Sequence, residues 1–171
     1  AHYFVAKRRE IKIGKPLPLF SPGLGLYGCI TQLKSFPANR AALLDFALSG
    51  PFAAIAVSLG CIVAGISLTT RASTLALSNF PFVPAAVLKS SFLVGSISSS
   101  LASKTLMVPL SQPIPIHPLF VIGYSGLIAS ALNLLPIFRL DGGRAFSAAM
   151  GSRQTEIISV SALLVLISQS L

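Results

Sequence analysis

Two long stretches of this chain carry no charge: Phe46 to Thr70, and Thr105 to Phe138. A helix that crosses the hydrocarbon of a bilayer needs about 20 mostly apolar residues, and each stretch exceeds that. A soluble domain keeps about a quarter of its residues charged. Here the share is 10%, against 53% apolar, with a mean hydropathy of +0.81. Lipid is therefore the solvent to reason in. The expected fold is an all-α membrane protein, a polytopic bundle of transmembrane helices in a lipid bilayer, with a short β-hairpin-like segment after the first helix.

The net charge of +9 does not point to nucleic acid. Apart from "AKRREIKIGK" at 6–15, the basic residues are scattered between apolar spans, with no interleaved aromatic platform and no zinc-finger spacing. Cations in that arrangement flank membrane helices or touch anionic lipid. Cys29 and Cys61 lie far apart, and Cys61 falls inside an apolar helical pattern, so no disulfide framework is implied. No signal or transit peptide stands at Ala1. "AHYFVAKRRE" resembles the tail of a helix already under way, and the last residues stop inside an apolar run. The chain is expected to be a fragment cut at both ends.

Residues 1–9 look like the end of a first membrane helix, closed by Lys7, Arg8 and Arg9, cations that suit a helix C-terminus. Across 11–35, prolines and glycines at short intervals with β-favouring residues between them predict strands or a hairpin. "SFPANR" predicts a turn and a helix start. The clearest span is 41–70, with Asp45 in its first turn, a bend at Ser49-Gly50-Pro51, and small residues that allow a close helix neighbour. Residues 84–103 fit an amphipathic or a membrane helix equally. "VPLSQPIPIHP" predicts a proline-rich loop. Residues 119–138 predict a further span, and 157–171 another after a helix that starts near Gly143.

The end of the 119–138 span is "NLLPIFRLDGGR". One of only four carboxylates in the chain, Asp141, arrives here, behind Asn133 and a helix-breaking Pro136. Pro136 cannot donate, and its ring clashes one turn back, which releases the carbonyl of Leu132. Asn133 can both donate and accept. Gly142 and Gly143 let backbone approach closely. An ionisable group at membrane depth marks a functional site with a partner. Asp-Gly-Gly is also an ordinary turn, with Arg139 or Arg144 free to pair with Asp141 at the interface. His2 and His117, each taken alone, read as polar interface residues.

Both chain regions together resemble the site-2 protease family (peptidase family M50) of intramembrane zinc metalloproteases. In that family a first helix carries H-E-x-x-H and a later one N-x-x-P-x-x-x-x-D-G. Asn133, Pro136, Asp141 and Gly142 match the second motif position for position. Ala1-His2 match the last two positions of the first. "NRAALLDFALSGPFAA" resembles the family's second core helix with its Gly-Pro. The likeness is to the plastid branch, the ethylene-dependent gravitropism-deficient and yellow-green type, and it covers nearly the whole chain through "GCITQLKSFPANRAALLDFALSGP", "SSFLVGSISSSLA" and "HPLFVIGYSGLIASALNLLPIFRLDGGRAF".

What the resemblance implies is a zinc endopeptidase of a chloroplast membrane, cutting peptide bonds within the transmembrane segments of other membrane proteins. Two histidines at i and i+4 share one helix face and bind zinc. A catalytic zinc takes three protein ligands and keeps an open position. By resemblance, His2 is the second ligand and Asp141 the third, the cofactor is Zn2+, and Asn133, Pro136 and Gly142 shape the site. The first His and the general-base Glu are expected just before Ala1, so the chain itself contains no catalytic residue. Strands within 16–33 could pair with an unwinding substrate segment. Two rivals stand beside this reading. One is an inactive protease-like membrane scaffold or chaperone. The other is a small transporter or channel segment in which Asp141 holds an ion; it predicts an inverted repeat, and none is found.

Overall fold

The computed structural model describes residues 1–11, 13–14, 17–21, 25–30, 39–102, 109–137 and 140–169. It is mostly helical, with two small sheets. Contacts divide the chain into two compact units. One comprises Ala1–Ala53 with Leu132–Leu171, the other Ala54–Ala131.

The first unit opens with helix α1 (His2–Arg8). Its stop is a Schellman turn: the Ile11 amide donates to the Ala6 carbonyl at 2.9 Å, and Glu10 takes the left-handed conformation at φ 54°. Glycine usually fills that position. Glu10 accepts the strain because the turn brings Ile11 back onto Ala6, and both join a buried cluster with Ala42 and Phe46. Strands β1 (Leu17–Ser21) and β2 (Gly25–Ile30) follow as an antiparallel pair, with a register shift between Leu19 and Phe20. The expected hairpin is present; residues 31–35 of that segment lie outside the described residues.

Helix α2 runs from Arg40 to Arg71. Asn39 starts it, its side-chain oxygen accepting from the Ala42 amide at 2.7 Å, the N-cap role that asparagine fills well. Because the helix begins at Arg40, Asp45 lies in the second turn, not the first. Its carboxylate instead pairs with Arg9. Pro51 sits inside the helix without ending it. At about 1.5 Å per residue, 32 residues extend about 48 Å, more than the roughly 30 Å hydrocarbon core. Among the described residues α2 is the one helix both long and apolar enough to cross a membrane.

The second unit holds α2 from Ala54 onward, α3 (Thr74–Leu77), β3 (Phe82–Pro84), α4 (Ala85–Ser90), α5 (Phe92–Ala102), β4 (Pro113–Pro115) and most of α6 (Pro118–Asn133). The 84–103 segment is two helices. Ser91 breaks it with extended backbone at φ −98°, ψ 124°, and neither piece is long enough to span. The proline-rich loop is partly a strand: β4 pairs antiparallel with β3, Val83 opposite Ile114. Periodicity does not reveal three-residue strands dense in proline. Gly65 and Gly123 let α2 and α6 touch along their backbones. A Cβ on Gly65 would stand 2.4 Å from the Phe120 nitrogen, and one on Gly123 would stand 2.6 Å from the Ser58 carbonyl. The small residues thus allow the close helix neighbour expected of them. Ile62, Ile66, Leu88, Val94, Ile116 and Phe120 form the buried cluster.

Helix α6 ends at Asn133, five residues short of the expected 138, itself outside the described residues. Pro136 accounts for this: the residue before a proline avoids helical backbone, and the ring crowds the carbonyl one turn back. Residues 132–137 close instead by short-range bonds, Leu135 N–H to the Leu132 carbonyl at 3.2 Å and Ile137 N–H to the Leu135 carbonyl at 2.7 Å. At 16 residues, α6 is a short apolar helix rather than a full span. Helix α7 (Asp141–Met150) starts two residues before Gly143, and α8 (Ser152–Ser168) starts five before the expected 157.

Candidate metal site

His2 opens α1 and Asp141 opens α7. The fold brings them together although 139 positions separate them in the chain. His2 Nε2 stands 3.6 Å from Asp141 Oδ2, with side chains 23% and 19% exposed. The imidazole is held from three sides. Its Nδ1 lies 2.9 Å from the Phe46 carbonyl. Its ring stacks at a tilt on Phe46, 4.8 Å between centroids. Ser49 Oγ, 3.3 Å from Nδ1, donates to the same carbonyl at 2.8 Å.

A carbonyl oxygen only accepts, so Nδ1 carries the hydrogen. In a neutral imidazole that leaves Nε2 with a lone pair, pointed at a carboxylate oxygen. Two lone pairs facing each other repel unless a cation or proton lies between them. Their 3.6 Å separation is long for a hydrogen bond. It is close to the roughly 3.3 Å that separates two ligand atoms on a tetrahedral zinc. Metal-binding histidines characteristically commit the other ring nitrogen to a carbonyl or carboxylate, which fixes tautomer and ring plane; Phe46 supplies that group here.

Asp141 occupies the first turn of α7, where the helix dipole favours a negative charge. Its second oxygen, Oδ1, faces Arg144 at 3.4 Å, one turn along the same helix. The pairing with Arg144 anticipated for an ordinary turn is therefore also real, and it leaves Oδ2 for His2. Arg139 lies outside the described residues.

Two glycines make the geometry possible. A Cβ on Gly142 would stand 2.1 Å from the Leu134 carbonyl oxygen, so only glycine lets α7 start against the turn after α6. A Cβ on Gly50 would stand 2.1 Å from His2 Nε2. Gly50 invited the reading of a helix bend; its observed service is room for an imidazole. Pro136 contributes its carbonyl, which accepts from Ser159 Oγ on α8 at 2.6 Å. Asn133 lies exposed at the end of α6; among the described residues it forms no hydrogen bond with His2 or Asp141.

The donor set suits zinc, one imidazole nitrogen and one carboxylate oxygen, but it is two donors. Among the described residues no group of three or more His, Cys, Asp and Glu converges. His117 is elsewhere engaged, in the second unit. Its Nδ1 accepts from the Leu119 amide at 3.2 Å, capping α6, its own amide donates to Thr69, and its ring meets Phe80 edge-on. His117 thus serves as a cap for α6.

The family model for Peptidase family M50 matches residues 1–169. The chain belongs to peptidase family M50. That agrees with the site-2 protease resemblance drawn from the two motifs. Among M50 relatives, the chain is similar to the probable zinc metalloprotease EGY1, chloroplastic, of Arabidopsis thaliana, at 33% identity over 96% of this chain and 29% of that protein. It is similar to the probable zinc metalloprotease EGY2, chloroplastic, of the same plant, at 36% over 85% of this chain and 25% of that protein. It is also similar to the DDT domain-containing protein PTM of Arabidopsis thaliana, at 34% over 84% of this chain but 8% of that protein. The chain spans 29% of the length of the first of these. No solved structure matches it.

Proposed function

We propose that this M50 chain is the core segment of a zinc endopeptidase that cuts within the transmembrane segments of membrane proteins, in a chloroplast membrane. The observation that carries the proposal is the approach of His2 Nε2 to Asp141 Oδ2, with Nδ1 already committed to Phe46. The zinc-metalloprotease and chloroplastic names of the EGY relatives support it. His2 and Asp141 are the proposed ligands within the chain, and Asn133, Pro136 and Gly142 the residues that shape the site. The remaining histidine, and the glutamate that serves as base, are proposed on the helical face preceding His2, the histidine four residues before it. Zinc, once bound, supplies Lewis acidity, polarising a carbonyl and acidifying water.

The chain's own residues do the rest. Phe46 and Ser49 hold the imidazole plane. Arg144 holds the carboxylate's other oxygen. Gly142 brings the start of α7 onto the broken end of α6, and broken backbone of that kind is tolerated in a membrane where it lines a hydrated cavity. Helix α2 is the proposed first full span here, with the shorter apolar helices completing a polytopic bundle. Among the described residues the β1–β2 sheet is two strands wide, and an exposed edge of such a pair can take up a substrate segment as it unwinds.

The test is zinc stoichiometry and proteolysis in the full-length protein. Asp141→Asn is expected to lose both while membrane insertion stays intact; unchanged zinc content overturns the ligand assignment. A second reading, a protease-like scaffold without activity, draws on the donor set of two and on a relative whose name is not that of a protease. It predicts no bound zinc in the wild type.

A further inference from the structure

Between α1 and the start of α2, within the first unit, lies a cleft of about 480 Å³. Its walls sort by chemistry. At one end stand Arg8, Arg9 and Asp45. Arg9 and Asp45 pair with each other, whereas Arg8 is exposed and forms no ion pair among the described residues. The charged end therefore carries one positive charge in excess. The rest of the lining is Leu44, Leu48 and Phe52, with the hydroxyl of Ser49 beside them, faced by Val5. Leu44, Leu48 and Phe52 recur every fourth residue and so form one stripe along α2. Phe52 is 61% exposed.

The position of this cleft along α2 bears on the depth at which it would lie in a bilayer. The charge-free run begins at Phe46, directly after Asp45, and the ion pair holds the end of α1 at the level of Asp45. In a bilayer that takes in this charge-free run, the cationic end would stand with Leu44 at the headgroup layer, and Leu48 and Phe52 would run inward from it. We propose that this cleft binds one membrane lipid with an anionic headgroup, its phosphate on Arg8 and the free face of Arg9, and its acyl chain along Leu44, Leu48 and Phe52. Arginine suits phosphate because its planar fork can donate two bonds at once. The proposal does not depend on zinc or on proteolysis.

The test uses the full-length protein in bilayer discs of phosphatidylcholine doped with phosphatidylglycerol, followed by native mass spectrometry of the gently released protein. The wild type is expected to keep one phosphatidylglycerol. Arg8→Gln loses about tenfold or more of that occupancy, the range for a charge-assisted bond. Lys7→Gln, an exposed neighbour outside the cleft, loses no more than the about fivefold of one cation near a charged surface. Equal losses from the two variants mean diffuse attraction and overturn the site. Displacement of the lipid by millimolar inorganic phosphate overturns it too, since a free anion would then be the ligand. No retained lipid in the wild type ends the proposal.

Discussion

The two units use glycine for opposite purposes. In the second, Gly65 and Gly123 remove side chains so that two helix backbones can touch, and an apolar cluster does the remainder. In the first, Gly50 and Gly142 remove side chains so that a polar group can stand where it does, an imidazole in one case and a carbonyl in the other. Charge divides the same way. All four carboxylates of the chain, Glu10, Asp45, Asp141 and Glu156, belong to the first unit. The second unit is a packing problem solved with small residues. The first gathers the ionisable side chains of the candidate site, and polar groups that are buried there each need a partner.

That contrast breaks most readily at Asp141. Replacement by Asn is expected to lower zinc affinity of the full-length protein by more than the about 100-fold that loss of an outer-shell partner costs, measured by equilibrium dialysis. Gly50→Ala comes next: the added carbon collides with His2, so zinc affinity should fall by about 10- to 100-fold while thermal unfolding in detergent barely changes. Gly123→Ala should do the reverse. It forces α2 and α6 apart and destabilises the fold by about 1–3 kcal/mol, read from unfolding in denaturing detergent, with zinc affinity preserved. The smallest effect belongs to His117→Ala, which removes a helix cap worth about 1 kcal/mol and leaves zinc content unchanged. If Gly50→Ala costs stability rather than metal, the two units do not differ as described.

Much of this was legible in the residues, and the reasons are physical. Charge-free length announced α2, glycine and proline spacing announced the hairpin, and the motif letters singled out His2 and Asp141, which the fold brings within 3.6 Å of each other. What the letters hid depended on distance in the chain. Nothing local says that Arg9 meets Asp45, that Phe46 offers its carbonyl to His2, or that Gly50 clears space for a ring 48 residues away. Asp45 is the instructive case. Read locally, it is a carboxylate favoured at a helix start; in the fold it is one half of an ion pair that ties two helices. Helix lengths erred where proline acted at a distance, because Pro136 ends α6 at Asn133, three residues before itself. Strand β4 escaped notice because prolines flank its single isoleucine.

The hydroxyl of Ser159 on the Pro136 carbonyl has a practical bearing on protein engineering. The carbonyl belongs to the turn whose Leu134 oxygen abuts Gly142, one residue from Asp141. Anyone trimming the chain to a minimal expressible unit would be tempted to stop after the aspartate motif. Doing so deletes the buried hydroxyl that donates to this turn, so the shortest workable boundary lies beyond Ser159 rather than before α8.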